Sequence, residues 1–337
     1  MKQPLFGKSL EELLKIVADL SFPSYTAGQI AGWLYRKQAS SVGGMTDLSV
    51  KFRNLLDERY IVGLSDAVAV QTSKDGTKKY LFPVSAGRKV ETVYIPEDKR
   101  ATLCLSSQAG CRMACRFCIT GKQGMNGNLT STDVLNQLRS LPERALLTNI
   151  VFMGMGEPLD NQEEVMKSVE ILTSDYGYGW SPKRITVSTV GILPALGRFM
   201  ERCRCHLAVS LHHPGHEERK KLIPAENRHP VKEIVALLKT FDLNRQRRVS
   251  FEYLMLSGIN DSQREAREVV RLLSGLRCRV NLIPYHAGAG SEFIPSNGNT
   301  IQAFAETLRR KGLTVTIRQS RGFDIDAACG MLTTVRE

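Results

Sequence analysis

The sequence predicts an α/β protein built as a partial (β/α) barrel, with a small helical accessory domain in front and a β-hairpin linking the two. Three observations point there. From about residue 90 onward, short β-branched runs alternate with stretches of helical periodicity, the pattern of a parallel sheet with crossover helices. No Gly-x-Gly-x-x-Gly fingerprint follows the first of those strands, which argues for an open barrel and against a dinucleotide fold. Ahead of them, residues 1–64 carry helical periodicity instead, and a chain of 337 residues has room for both units.

The elements follow in order. Ser9 with Glu12 forms a capping box, and Leu10, Leu13, Leu14 and Val17 share one face of the helix behind it. A second helix through Ile30, Leu34 and Tyr35 and a third around Phe52 to Leu56 complete an accessory domain over residues 1–64. Residues 65–89 read as the linking hairpin: alternating segments Ala67 to Thr72 and Lys79 to Phe82 flank Lys74-Asp75-Gly76, and Asp-Gly favours the positive φ angles of tight turns. Residues 90–337 hold seven candidate strands, at Thr102–Ser106, Asn149–Met153, Ile185–Ser188, Leu207–Leu211, Ser250–Leu254, Val280–Ile283 and Thr314–Ile317. Helical stretches lie between them, such as Val231, Ile234, Val235 and Leu238, or Val269, Val270, Leu272 and Leu273.

With 42% hydrophobic and 24% charged residues, the composition excludes disordered, collagen-like and coiled-coil readings of the whole. No apolar run reaches the roughly 18 residues of a membrane helix. Met1-Lys2-Gln3-Pro4 leads into a charged amphipathic stretch, so no secretory signal is expected and the cytoplasm is the expected compartment. The net charge is +12, the balance of a protein that meets phosphate backbones. The alternative is a merely solubilising surface. The clustering of basic residues favours nucleic acid: Arg219-Lys220-Lys221, Arg245 with Arg247-Arg248, and Arg309-Arg310-Lys311.

Eight cysteines are too few and too uneven for a disulfide scaffold. Cys111, Cys115 and Cys118 crowd one loop after the first barrel strand, followed by Gly121 and Gly124. Three thiolates hold three irons of a four-iron cluster and leave the fourth open to a substrate, whereas an electron carrier saturates all four. A structural zinc site is the competing reading, but it needs a fourth ligand and the loop contains no histidine. Gly154-Met155-Gly156-Glu157-Pro158, Ser188 and Ser210-Leu211-His212 then end successive strands, on the rim where barrel enzymes bind ligands. Each alone could be an ordinary polar loop residue. Cys203, Cys205 and Cys278 are read as packing residues, although His206 adjoins the first pair.

The Cys-x-x-x-Cys-x-x-Cys spacing, with Phe117 before its last cysteine, resembles the cluster motif of the radical S-adenosylmethionine superfamily. The resemblance implies a [4Fe-4S] cluster on Cys111, Cys115 and Cys118. It also implies S-adenosyl-L-methionine bound by Gly156, Glu157, Ser188, Ser210, Leu211, His212 and His286. The last of these, in Asn281-Leu282-Ile283-Pro284-Tyr285-His286, stands where the family commonly has asparagine, and imidazole can replace an amide as donor or acceptor.

Two outlying cysteines narrow the resemblance. Cys104 lies in Thr102-Leu103-Cys104-Leu105-Ser106-Ser107-Gln108, and Cys329 in the Gly- and Asp-rich run Asp324-Ile325-Asp326-Ala327-Ala328-Cys329-Gly330, a setting unlike a core strand. With Val90-Glu91-Thr92-Val93-Tyr94-Ile95-Pro96 and the N-terminal helices, these stretches resemble the dual-specificity RNA methyltransferases that act on carbon 2 of adenosine in 23S ribosomal RNA and transfer RNA. That resemblance implies that Cys329 carries the methyl group and that Glu91 removes the carbon 2 proton, a role suited to partial burial. It implies further that Cys104 releases the product by forming a disulfide with Cys329, and that partners include both RNAs and an electron donor such as a flavodoxin. Taken alone, Glu91 would read as a surface carboxylate at a strand edge. Carbon 8 methyltransferases share the triplet and both outlying cysteines, but Pro158 and the Asn281–Pro284 run favour the carbon 2 enzymes. A radical enzyme acting on a peptide, or an RNA-binding protein with a structural cluster, would not need Cys104 and Cys329 in these contexts.

Overall fold

The structure, a computed structural model, describes residues 2–243, 248–287 and 291–333. Its centre is a ten-stranded sheet: β1 (Ala69–Thr72), β2 (Lys78–Val84), β3 (Arg88–Glu97), β4 (Arg100–Cys104), β5 (Asn149–Phe152), β6 (Ile185–Thr189), β7 (His206–Ser210), β8 (Val249–Met255), β9 (Arg279–Pro284) and β10 (Thr314–Ile317). Strand order in space follows order in the chain. From β4 to β10 every neighbouring pair is parallel, with registers such as Cys104 opposite Val151 and Val209 opposite Phe251. A sheet that winds in one direction without reversal is barrel-like. Its outer strands β1 and β10 do not pair with each other, so the barrel is open.

Helices connect the parallel strands: α4 (Ser131–Arg139), α5 (Gln162–Thr173), α6 (Leu193–Arg202), α7 (His216–Leu222), α8 (Val231–Lys239), α9 (Gln263–Leu273) and α10 (Gly298–Arg310). They bury the stripes their periodicity announces, such as Val231, Ile234, Val235 and Leu238 on α8. Strand β8 is buried at all seven positions, as a strand covered on both faces must be. Among the described residues no helix is long and apolar enough to cross a membrane.

The N-terminal helices are α1 (Leu10–Asp19), α2 (Tyr25–Ala31), continued by a π-helical turn over Gly32–Arg36, and α3 (Val50–Arg59). The Ser9–Glu12 capping box is present. The buried face of α1 is Leu13, Ile16 and Val17, whereas Leu14 turns outward, because a one-residue rotation places Ile16 against the core instead. This domain is tied down on α4: Ser131 Oγ donates to the Gly7 carbonyl at 2.8 Å and Thr132 Oγ1 to the Phe6 carbonyl at 2.6 Å.

The hairpin does more than link. Strands β1, β2 and β3 continue the parallel sheet as an antiparallel extension beyond β4, so residues 65–89 and the barrel share one sheet. Register places Lys79 opposite Val93, Leu81 opposite Glu91, and Val93 opposite Cys104. Opposed residues share a face, so Lys79, Glu91 and Cys104 line one side of the sheet.

Candidate active site

The cluster loop leaves a short hairpin in which Gln108–Gly110 pairs with Met125–Asn128. Gly110 has φ +78°, and a Cβ there would lie 2.0 Å from the Gly124 carbonyl oxygen, so only glycine lets the two ends of the loop meet. Between them Ala114 adopts a left-handed conformation, φ +53°, a strain typical of functional turns. It turns the chain so that Cys111, Cys115 and Cys118 come close enough to influence one another's ionisation. Burial pushes the Cys111 thiol up to about 12, with Glu157 and Cys118 adding to the effect, and it raises Cys115 and Cys118 as well.

Three desolvated thiols that oppose one another's charge form a donor set that a cationic cluster would compensate, so these residues fit the group. Among the described residues no group of three or more His, Cys, Asp or Glu is drawn together as it would be around a single metal ion. Cys203 and Cys205 are buried in the core, with the Cys205 amide donating to Cys203 Sγ at 3.4 Å. Packing accounts for them.

The rim residues divide into two groups. Gly156, Glu157, Leu211 and His212 are built into the scaffold. Gly156 has φ +97°, and a Cβ would lie 2.5 Å from Gln108 Cβ, so the loop after β5 presses on the strand leading to the cysteine triplet. The buried Glu157 carboxylate accepts from the amides of Leu159 (3.0 Å) and Val190 (2.8 Å), joining the ends of β5 and β6. Burial raises its pKa to about 7 against those hydrogen bonds. His212 is buried with φ +55°; its Nδ1 accepts from the Leu254 amide at 2.9 Å and its ring meets Phe117 edge-on at 4.7 Å. Burial first, and Arg219 second, lower the His212 pKa to about 3, so the ring is neutral. The aromatic of the triplet therefore braces the cluster loop against the end of β7.

Ser188 in β6, Ser210 at the end of β7 and His286 just beyond β9 form the accessible group, all half-buried. His286 Nε2 is buried without a hydrogen-bond partner, and the ring lies 4.8 Å from Phe323. A buried imidazole nitrogen awaiting a partner suits a residue that meets a bound cofactor.

The Cys329 segment is fixed at both ends. At one end Asp324 accepts from Ser73 Oγ (2.5 Å) and the Lys74 amide (3.1 Å), while Asp75 accepts from the Gly322 amide (2.9 Å), so the hairpin turn grips residues 322–324. At the other end the Gly330 carbonyl accepts from the Ile119 amide (2.7 Å), the Leu332 carbonyl from Thr120 Oγ1 (2.6 Å), and the Thr333 amide donates to Glu91 Oε2 (2.9 Å). Cys329 is exposed between these anchors, yet crowded enough that desolvation raises its thiol pKa. Cys104 is buried; desolvation raises its pKa first and the nearby Cys329 charge second, while Arg318 favours both thiolates. Both are free thiols.

Glu91 is only 3% exposed, which corrects the strand-edge surface reading. It pairs with the equally buried Lys79 at 3.1 Å. Sequence reasoning missed Lys79, and it missed Glu252, which is buried in β8 with Oε1 receiving Ser250 Oγ (2.9 Å) and Asn281 Nδ2 (2.7 Å) while Oε2 faces Arg318 at 3.9 Å. An acidic residue inside an otherwise apolar strand was the available signal.

Arg219 is the clearest correction among the basic clusters. It is fully buried, paired with Glu226, and its guanidinium donates to the carbonyls of Leu211 (3.0 Å), Val190 (2.9 Å) and Ser210 (2.7 Å). Those carbonyls lie at or just past the ends of β6 and β7, and a planar five-donor fork reaches three at once. Arg310 is engaged by Glu306 on the exposed end of α10. Arg245 and Arg247 lie outside the described residues; Arg248 is described and stands beside β7, where its amide donates to His206 Nδ1.

Comparison with known proteins agrees with this geometry. Residues 105–270 match the Radical SAM superfamily, and residues 3–62 match the N-terminal domain of ribosomal RNA large subunit methyltransferases. A probable dual-specificity RNA methyltransferase RlmN of Bacteroides thetaiotaomicron is 53% identical over 100% of this chain and 97% of its own length. A protein of the same description from Porphyromonas gingivalis is 51% identical over 98% of this chain and 96% of its own. A crystal structure of a radical SAM methyltransferase from Sphaerobacter thermophilus superposes with a TM-score of 0.91 at 39% identity, covering 99% of this chain and 100% of that one.

Proposed function

Since the chain belongs to the RlmN family of radical SAM RNA methyltransferases, we propose that it methylates carbon 2 of adenosine in 23S ribosomal RNA and transfer RNA through a methyl group carried on Cys329. The observation that carries this reading is the approach of two free thiols, Cys104 from β4 and Cys329 from residues 322–333, close enough that the charge of one raises the pKa of the other, on the sheet face where the buried Glu91 carboxylate holds the Thr333 amide. A methyltransferase acting on an amine or a thiolate needs neither thiol. Carbon 2 of adenine lies between two ring nitrogens and is too electron-poor to attack a methyl sulfonium.

When bound, the cluster on Cys111, Cys115 and Cys118 and S-adenosylmethionine beside Ser188, Ser210 and His286 supply a methyl group and a hydrogen-abstracting radical. The chain does the rest. The Cys329 sulfur takes the methyl group and, once that group bonds to carbon 2, tethers the RNA to the protein. Glu91 receives the carbon 2 proton. The adduct would give up the odd electron of the radical addition to the cluster; the Cys104 thiolate then attacks the Cys329 sulfur, the electron pair of the breaking sulfur–carbon bond stays on the transferred carbon, a proton completes the methyl group there, and the product leaves with a Cys104–Cys329 disulfide behind it. A cellular reductant must reopen the disulfide, and an electron donor such as a flavodoxin must serve the cluster.

The substrate adenosine must be unstacked to reach Cys329, as in a loop, and the basic surface and N-terminal domain would hold the flanking phosphates. Carbon 8 methylation is the second reading; Pro158 and the Asn281–Pro284 run favour carbon 2, and nucleoside mass spectrometry separates the two. The central test replaces Cys329 by alanine and assays methylation of protein-free 23S ribosomal RNA. Methylation is expected to cease, and undiminished activity would refute the mechanism.

A further inference from the structure

We infer that the N-terminal end of the parallel sheet, opposite the candidate site, is an RNA-contacting surface on which arginines from three strands hold backbone phosphates; the inference rests on the RNA reading proposed above. Strand register supplies the geometry. Cys104 lies opposite Val151, Val151 opposite Thr186, and Thr186 opposite His206, so these residues share the face that carries Ser188 and Ser210. That face continues from Ala208 through Ser250 to Arg279. Arg248 joins it two residues before Ser250, where the Leu207 amide donates to its carbonyl at 3.0 Å. Arg100 joins it at the start of β4, four residues before Cys104. At about 3.3 Å per residue, Arg100 lies roughly 13 Å from Cys104 along the strand. One face of the sheet thus carries the site residues at its C-terminal end and three arginines at the other.

Arg100 and Arg248 are exposed and Arg279 is half-buried; Lys183, Arg184 and Arg204 stand exposed just ahead of β6 and β7. Burial first, then the like charges of Arg279, Arg100 and Arg318, lower the Arg248 pKa, while Glu252 acts the other way. Strands β4 and β8 are not neighbours in the sheet, so the influence of Arg100 on Arg248 means that curvature brings the two charges together across the inner face. Arg100 Nε donates to Thr102 Oγ1 at 3.1 Å, a neutral partner that leaves the charge in place. Glu97 and Asp98, in the turn before Arg100, temper one edge of this surface.

Like charges crowded on one surface repel in the free protein, and a polyanion laid across them relieves the repulsion while releasing its own counterions. Each guanidinium also offers paired donors to a phosphate. An RNA chain is long enough to cross this end while its adenosine reaches Cys329. An acidic electron donor has the same charge, but here it would sit at the opposite end of the strands from Cys111, Cys115 and Cys118, which follow the C-terminal end of β4.

The test compares wild type with Arg100→Gln/Arg279→Gln and with a control, Arg264→Gln/Arg310→Gln. The control loses the same charge from exposed arginines engaged by Glu268 and Glu306 on their own helices. Affinity for a protein-free 23S ribosomal RNA fragment is titrated against salt, intact mass reads methylation of Cys329, and calorimetry reads the melt. At about 0.7–0.9 per phosphate contact, the slope of log affinity against log salt is expected to fall by about 1.4–1.8 in Arg100→Gln/Arg279→Gln and to stay at its wild-type value in the control. Cys329 methylation should match wild type, and the melting temperature should be no lower, since two like charges are gone.

A wild-type slope in Arg100→Gln/Arg279→Gln overturns the inference, and so does an equal fall in the control, which would reduce the effect to net charge. A lower melting temperature accompanying the loss of RNA marks the two arginines as structural and overturns it as well. Intact RNA binding with lost reduction by a flavodoxin gives the surface to the electron donor instead. An unmethylated Cys329 in wild type refutes the proposed reaction, whereas the salt slopes still decide the RNA surface, so the two failures are read separately.

Discussion

Replacing Arg219 by methionine separates a structural arginine from an RNA-binding one. The side chain is completely buried, its partner Glu226 is equally buried, and three strand-end carbonyls depend on it. Removing one member of a buried ion pair costs about 3–5 kcal/mol, because the remaining charge is left uncompensated. Unfolding entropy is about 2.1 cal/mol/K per residue, so 337 residues give about 0.7 kcal/mol/K and the melting temperature is expected to fall by roughly 4–7 °C. The double variant Arg219→Met/Glu226→Leu should recover much of that loss, since no unpaired charge remains. Scanning calorimetry measures the melt, and RNA titrations at several salt concentrations measure the phosphate contacts. Each phosphate contact contributes roughly 0.7–0.9 to the slope of log affinity against log salt, and folded Arg219→Met should keep the full slope. An unchanged melting temperature, or a slope reduced by about one contact, would refute the assignment.

Three further outcomes are expected. Neutralising Arg247 and Arg248 should weaken RNA binding and leave cleavage of S-adenosylmethionine intact; equal loss of both would reject a purely RNA-contacting role. Cys115→Ser should lose iron after anaerobic reconstitution while Cys203→Ser and Cys278→Ser keep it, as read by iron content and visible absorbance. For Asp75, burial opposes ionisation, but hydrogen bonds from Gly322, Thr77 and Ser73 outweigh it and lower the pKa from 3.8 to about 2. A depressed carboxylate stabilises above its ordinary pKa and loses that contribution as pH falls toward the folded value. Exchange protection of the Gly322 amide, corrected for intrinsic rates, should therefore drop between about pH 4 and pH 2, and Asp75→Asn should abolish the step.

The parallel half of the sheet was legible because its strands read as short β-branched runs, from the fully buried β8 to the half-exposed β10. All seven strands lie within one or two residues of their expected positions, apart from the usual uncertainty at ends. Local spacing likewise announced the cysteine triplet and the Ser9–Glu12 cap. What stayed hidden depends on contacts remote in sequence. Lys79 becomes part of the site only through the register between β2 and β3, and Arg219 looked like a surface cation because the carbonyls it satisfies belong to two other strand ends. The hairpin read as a connector, since nothing local says that Ser73 and Asp75 hold a segment some 250 positions away.

That grip also orders events during synthesis. A ribosome that has released everything up to β10 has already delivered the triplet, the rim and Glu91, but not yet the sulfur proposed to accept the methyl group. Until residues 322–333 emerge and clip onto the hairpin turn and the helix at Ile119–Lys122, a nascent chain would hold the proposed cluster residues and lack the proposed methyl acceptor. On that proposal, competence waits for nearly the last stretch of translation, and a product that stops short of Cys329 lacks the methyl carrier.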